Sequence, residues 1–456
     1  MKVNGCNVLV LGAGVSGEAA AALLVREGAS VVVIDGATPE KSEQKIKKLR
    51  SLGACPVFGD AERLPDEPFD FAVASPAFAP SHPWLTACSE RGLEVLSELE
   101  LGARFWRGRL LAVTGSKGKS SIVKLLSDTL NRAGHTASPA GNYGIPLCAL
   151  CNEKPGLEWA VVEVSSFQME HTWTFHPEGS VVLNVQADHL DRHGGMSVYK
   201  ELKLKLFSAM RPGTLALLPE GLSAWSAVPD DLETRRFGVS PDADWRYTPG
   251  RIEGPDGGIS LAGSWFDNPV FGISAAAATA LLRRCGLDRA QIEAGLRAFE
   301  PLEHRMQRIG VSEAGVTYID DSKATSLTAT AAAIRMVGGP VRLIAGGQLK
   351  ETHVNCLKEI LANSVKKVYL IGCCAQQLAE AWSDAVPCEV CGTMERAVSR
   401  AATEAIRGET VLLSPGTASF DQFTGYRERG KRFADCARAV AGLQEAVFPT
   451  DGKDKR

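Results

Sequence analysis

Leu110-Leu111-Ala112-Val113-Thr114-Gly115-Ser116-Lys117-Gly118-Lys119-Ser120-Ser121 is the stretch whose reading decides how the middle of this chain folds. Its apolar start predicts a buried strand, its glycines a turn, and Ile122-Val123-Lys124-Leu125-Leu126 the opening of a helix. Strand, glycine turn and helix in that order make a phosphate-binding loop. Backbone N–H groups at the helix N-terminus meet phosphate oxygens, a lysine supplies a point charge, and a hydroxyl sits on Mg²⁺. Gly115, Ser116, Lys117, Gly118, Lys119, Ser120 and Ser121 are therefore the expected ATP-binding residues. Valine occupies position 113, where the strict G-x-x-x-x-G-K-[ST] pattern has glycine, so the loop is the shorter T-G-x-x-G-K-S form.

Toward the N-terminus, Asn7–Leu11 reads as a strand, followed by Gly12-Ala13-Gly14-Val15-Ser16-Gly17 and an alanine-rich helix. A second strand, Val31–Ile34, ends at Asp35. This is the dinucleotide fingerprint in its βαβ context, with Gly14, Val15, Ser16 and Asp35 as ligand contacts and Ser75 closing the next apolar run. The fingerprint identifies a diphosphate and a ribose, and both NAD and a UDP-sugar satisfy it.

Toward the C-terminus, the strands Trp159–Val164 and Val181–Val185 each end in a polar cluster. If they flank the phosphate loop, Glu163 and His189 fall near Mg²⁺; carboxylate suits that hard cation, histidine less so, and helix capping is the plainer role for either. Tyr199–Lys205 reads as an amphipathic helix with a solvated basic face, Pro229–Pro269 as loop or short hairpins, and Ser274–Cys285 as a helix. Further strands at Val341–Ala345, Lys367–Ile371 and Thr410–Leu413 alternate with helical patterns. His304-Arg305, Asp320–Ser326 and Ser414–Ser419 form charged and hydroxylic clusters there, and Lys350 beyond Gly346-Gly347 suits a substrate carboxylate.

Three alternating blocks predict an α/β fold with three mainly parallel sheets. The expected domains are 1–106, Rossmann-like; 107–299, a central P-loop ATPase-like domain; and 300–456, Rossmann-like again. At 456 residues the chain is long enough for several cores. A formal charge of −3 gives no support for nucleic-acid or membrane partners. No apolar run spans a bilayer, and the chain runs from Met1 directly into a strand, so a cytoplasmic monomer acting on small molecules is expected. Cys148-x-x-Cys151 and Cys388-x-x-Cys391 lie far apart in apolar settings and read as buried thiols rather than zinc ligands.

Taken together, T-G-S-x-G-K-S, Glu163–Glu170 (E-V-S-S-F-Q-M-E), Asn184–Arg192 (N-V-x-x-D-H-L-D-R), His304-Arg305, Asp321–Thr325 (D-S-K-A-T) and Ser414–Phe423 resemble the Mur ligases. These are the ATP-dependent amide-forming enzymes of peptidoglycan precursor synthesis. The S-S-F-Q element and the first domain favour the branch that adds D-glutamate to UDP-N-acetylmuramoyl-L-alanine. The L-alanine-adding branch, or a ligase-like protein altered in catalysis, is separated from it by amino-acid preference. An NAD oxidoreductase leaves the phosphate loop without a role.

The resemblance implies that the first domain binds the UDP end of the substrate without NAD and that Lys119 and Ser120 hold phosphate and Mg²⁺. It implies two metal sites, at Glu163 and His189, and a carbamylated Lys203 as a further metal ligand, against the solvated-face reading. Catalysis falls to Lys119, His189, Lys203 and Lys323, with Arg305 and Asp321 on ATP, Asn142 on the muramoyl substrate, and Lys350, Ser419 and Tyr426 on D-glutamate. The chain departs from the family pattern at Lys117 (usually asparagine) and Ala77 (usually glycine), and Asp35-Gly36-Ala37 lacks a basic residue. Val270–Ser274 replaces the family's H-N-x-x-N stretch, which removes the adenine-contacting asparagine unless Asn268 takes its place.

Overall fold

The computed structural model describes residues 1–59, 63–223, 227–349 and 353–443. Five short apolar runs form the first sheet: β1 (Asn7–Leu11), β2 (Ser30–Asp35), β3 (Cys55–Phe58), β4 (Phe71–Ala74) and β5 (Val95–Ser97). They pair in parallel in the order β3-β2-β1-β4-β5. Residues 8–11 of β1 and all of β4 are buried, as continuous apolar strands covered on both faces must be. Strand order reverses between β1 and β4, and a ligand crevice opens at the carboxyl ends of such a pair. The helix Val15–Arg26 leaves β1 in close contact, because a Cβ at Gly17 would lie 1.8 Å from the Gly12 carbonyl oxygen. Only glycine fits there.

The central sheet has nine strands: β6 (Arg109–Thr114), β7 (Ala137–Gly141), β8 (Trp159–Glu163), β9 (Gly179–Val182), β10 (Leu215–Pro219), β11 (Glu233–Gly238), β12 (Trp245–Thr248), β13 (Arg251–Gly254) and β14 (Gly257–Ser260). Their order is β14-β13-β12-β11-β10-β9-β6-β8-β7, parallel from β7 to β12 and antiparallel beyond. The 229–269 stretch thus holds the expected hairpins but also β11 and β12, which extend the sheet in parallel. Trp245 and Tyr247 point inward while Arg246 and Thr248 are half-buried, the period-two pattern of a strand hidden among Pro, Gly and Asp.

The helices Glu98–Phe105 and Leu147–Glu153 join these two sheets through one apolar cluster that includes Leu99, Leu101, Leu147, Cys148 and Leu150. They approach so closely that a Cβ on Gly102 would meet Leu147 Cβ at 2.8 Å. Met1–Asp267 with Gly272–Phe299 accordingly form one compact unit, and Asn268–Phe271 with the chain from Glu300 form a second. The second unit holds β15 (Gln307–Val311), β16 (Thr317–Asp320), β17 (Val341–Gly346), β18 (Val365–Ile371), β19 (Cys388–Gly392) and β20 (Thr410–Leu413), ordered β15-β16-β20-β17-β18-β19. Only the pairing of β15 with β16 is antiparallel. The fold is α/β, with three mainly parallel sheets as the sequence predicted.

Cys148 and Cys151 are buried in the first unit; Cys388 is half-buried and Cys391 buried in the second. Among the described residues no helix is long and apolar enough to cross a membrane.

Candidate nucleotide and ligand sites

β6 lies between β8 and β9, so the turns after all three strands meet at one end of the central sheet. That places the Glu163 and His189 turns on either side of the phosphate loop. Gly115 (φ 149°) and Gly118 (φ 87°) take conformations that a side chain resists, and a Cβ on Gly115 would press on Leu183 at 3.0 Å. Gly118 caps the helix Lys119–Arg132 without a side-chain bond, which leaves the first-turn amides to an anion. Lys119 Nζ folds back to donate to the Gly115 carbonyl (2.8 Å) and the Ser116 carbonyl (3.2 Å). Ser120 and Ser121 are buried at the helix start. Asn184 Oδ1 accepts from the backbone N–H groups of Ser116 (3.1 Å) and Lys117 (2.9 Å), while Lys117 Nζ reaches Asp188 at 3.3 Å.

Glu163 is buried at the end of β8. Its Oε1 accepts from Asn142 Nδ2 at 2.8 Å, and its Oε2 has no hydrogen-bond partner. A buried, half-satisfied carboxylate is costly unless a cation completes it, so this oxygen fits Mg²⁺. His189 sits in the left-handed region (φ 53°) with its imidazole half-exposed and its ring 5.0 Å from Phe167, edge-on. Among the described residues no group of three or more His, Cys, Asp or Glu is arranged as a metal site. A cation here would lean on the Ser120 hydroxyl, Glu163, His189 and the nucleotide's own phosphates.

Lys203 overturns the solvated-face reading of its helix, being 1% exposed. The helix Met196–Ser208 turns Tyr199, Lys203 and Phe207 inward at a spacing of four, and Lys203 Nζ donates to the Gly115 carbonyl at 3.0 Å, beside Lys119. Its ammonium stands 4.4 Å from the Tyr199 ring, whose hydroxyl bonds Ser116 Oγ at 3.0 Å. Burial, reinforced by the nearby Lys119 charge, lowers the Lys203 pKa to about 7. Neutral amine is therefore abundant near pH 7.

Asn142 was expected to orient the muramoyl group, and the structure places it on Glu163, through its side chain and through its backbone N–H to the Glu163 carbonyl (2.9 Å). In the first crevice, Gly14 caps the helix with no side-chain bond, Val15 stands exposed at the mouth, and Ser16 is half-buried. Asp35 is engaged by two backbone N–H groups, Ala13 at 2.7 Å and Ala37 at 2.9 Å, so it ties the turn after β1 to the turn after β2. Ser75 follows β4 with its backbone N–H on the Leu11 carbonyl at 3.0 Å.

In the second unit, β20 lies between β16 and β17, which brings the Asp321, Ser419 and Gly346 turns to one sheet end. Asp321 is buried, accepting from Ser414 Oγ (2.9 Å) and the Met306 N–H (3.2 Å); burial raises its pKa to about 7. Arg305 lies in the turn before β15, half-buried, with its positive charge opposing that rise. Lys323 Nζ stands 3.9 Å from the centre of the Tyr426 ring, and Ser419 is buried. Lys350 lies outside the described residues. Asn268 Oδ1 accepts from the N–H groups of Val270 (3.1 Å) and Phe271 (2.9 Å), and so caps the helix that follows.

Sequence reasoning missed Arg429, which is fully buried beneath this cluster. It donates to the Ser322, Thr417 and Ala418 carbonyls and the Ser322 hydroxyl, and burial lowers its pKa to about 10. Nothing in the pattern Tyr426-Arg427-Glu428-Arg429 separates it from its exposed neighbours except helical phase.

Residues 113–258 match the family model of the Mur ligase middle domain, and residues 304–417 match that of the Mur ligase glutamate ligase domain. The chain is 34% identical over 97% of its length to the UDP-N-acetylmuramoylalanine–D-glutamate ligase of Acidobacterium capsulatum, covering 98% of that relative. It is 38% identical over 96% of its length to the ligase of the same name from Frankia casuarinae, covering 95% of it. Among solved structures, MurF from Acinetobacter baumannii matches 94% of the chain and 93% of its own, with TM-score 0.61 at 16% identity. MurF from Thermotoga maritima in complex with ADP matches 91% and 95%, with TM-score 0.60 at 17% identity. These structural matches speak for the fold.

Proposed function

This chain belongs to the Mur ligase family, and on that footing we propose that it joins D-glutamate to UDP-N-acetylmuramoyl-L-alanine with ATP, as a step of peptidoglycan precursor synthesis. The observation that carries this reading is full-length identity above 30% to ligases of that name, with a phosphate loop flanked by Glu163 and His189.

The chemistry proceeds in two stages. The alanyl carboxylate attacks the γ-phosphorus of ATP, giving an acyl phosphate and ADP. The D-glutamate amine then adds to the acyl carbon, the tetrahedral intermediate expels phosphate, and the amine loses a proton. The barrier in the first stage is repulsion between a carboxylate and a polyanion. Lys119 and the first-turn amides of its helix lower it by holding the phosphates. Ser120, Glu163 and His189 would hold Mg²⁺, whose charge would screen the transferring phosphoryl group. A buried amine with a pKa near 7 reacts readily with CO₂ to form a carbamate and release a proton, so Lys203 is suited to become the extra carboxylate-like ligand. Gly14, Val15, Ser16, Asp35 and Ser75 receive the UDP end, and in the second unit Lys350, Ser419 and Tyr426 receive D-glutamate.

Phosphate release from ATP with UDP-N-acetylmuramoyl-L-alanine, compared for D-glutamate, L-glutamate and L-alanine with mass detection of product, tests this. A new amide with D-glutamate alone is expected. Turnover with another acceptor moves the chain to a different branch of the family.

A further inference from the structure

The turn that bears His189 is held by a side chain three residues on, and that side chain also holds the first crevice. Arg192 Nη2 donates to the Phe78 carbonyl at 2.6 Å and Nη1 to the Ala77 carbonyl at 3.2 Å, on the loop that follows Ser75. The same guanidinium donates to Glu170 through Nη2 (2.8 Å) and Nε (3.4 Å), and lies 4.1 Å over the ring of Phe167. Both ionic side chains are nearly buried, at 12% and 9% exposure.

Contacts continue from each end. Phe167 meets the His189 ring edge-on at 5.0 Å, and His193 Nε2 bonds Ser166 Oγ at 3.0 Å, which fixes the far end of the short turn. On the other side, Phe78 lies against the diphosphate loop itself, since a Cβ on Gly12 would come within 3.0 Å of its ring. Trp84 and His82 pack on Phe78 and hold that ring in place. A continuous path of close contacts therefore runs Gly12, Phe78, Arg192, Phe167, His189. Only a planar guanidinium serves a carboxylate, two carbonyls and a ring face at once.

We propose that Arg192 is a positioning residue that couples the loop receiving the substrate's diphosphate to the turn presenting His189, so that filling the crevice sets the metal histidine. The coupling rests on the functional reading above for the identity of its two ligands. It makes substrate and divalent cation bind with mutual preference, reciprocal by linkage.

The test uses the full chain with a non-hydrolysable ATP analogue present. Mn²⁺ binding, followed by electron paramagnetic resonance, is titrated with and without UDP-N-acetylmuramoyl-L-alanine, and UDP binding is measured separately by calorimetry. In the unmodified chain the muramoyl substrate should tighten Mn²⁺ by about five-fold or more. In Arg192→Met that enhancement should fall below two-fold, with affinity for the ATP analogue unchanged. Phe167→Leu, which keeps the ion pair and removes only the ring between Arg192 and His189, should show the same loss and covers the case in which Arg192→Met does not fold. Arg192→Lys, restoring charge without the planar fork, should not recover it. Enhancement retained in folded Arg192→Met, or absent from an unmodified chain that binds both ligands, overturns the proposal. A chain that binds neither UDP nor the muramoyl substrate overturns the functional reading with it.

Discussion

Glu163 leaves one oxygen without a hydrogen-bond partner and gives the other to Asn142, so the amide fixes the direction of the carboxylate. Asn142→Ala should raise the Mg²⁺ concentration needed for half-maximal ligation by about 10–100-fold, the usual effect of losing a partner behind a metal ligand. ATP-analogue affinity without metal should stay unchanged, and an Mg²⁺ titration of initial rates checks both. Lys203→Ala should reduce turnover nearly to background; bicarbonate should not restore it, whereas short carboxylates should restore part, as a rate assay with each additive would reveal. The place of Glu163 at the end of β8, beside the phosphate loop, was legible because an apolar run breaks into a polar cluster there. Its tie to Asn142 was not, since 21 residues separate them and only the pairing of β7 with β8 brings them together. Lys203 was misread from composition because lysines at 200, 203 and 205 suggest a wet face, while helical phase buries the second. The family motif alone pointed the other way.

The glycine fingerprint shows at the scale of elements how a short pattern fixes packing. Gly17 exists so that the helix Val15–Arg26 can lie on the turn after β1. Gly17→Ala forces the two apart at a cost of about 2 kcal/mol, which corresponds to roughly thirty-fold in affinity if expressed at the crevice. Calorimetry should show UDP binding weakened by that order and ATP-analogue binding unaffected. Strands with long apolar runs, such as β1, β6 and β8, were plain in the sequence. β11 and β12 were not, since each is short, half-buried and embedded among turn residues, and parallel pairing of β11 with β10 and of β12 with β11 supplies what local pattern lacks.

Across the whole molecule, the seam between the first and central sheets contains an ionisable group. Glu98 is fully buried there, accepting from the Cys148 N–H at 2.6 Å, and desolvation raises its pKa to about 7. Its folded pKa exceeds the unfolded value, so its contribution is fully present below about pH 4.5 and is lost as pH rises through 7. That loss amounts to about 3 kcal/mol. Glu98→Gln keeps the acceptor and removes the charge. Urea unfolding should find it equal to the parent at pH 4.5 and more stable at pH 8, whereas equal stability at both would place the proton elsewhere. Three parallel sheets were legible from strand–helix alternation, but the seam was not, because Gly102 and Leu147 carry no mark of their contact.

The shared core also governs how this chain tolerates recombination. A chimera that exchanges residues 1–106 for those of a relative would separate Leu99 and Leu101 from Leu147, Cys148 and Leu150. It would also set a foreign surface against the Leu147–Glu153 helix where Gly102 now allows contact. The first sheet can therefore be transplanted intact only if that second helix travels with it, so the inherited module is discontinuous in sequence though continuous in space.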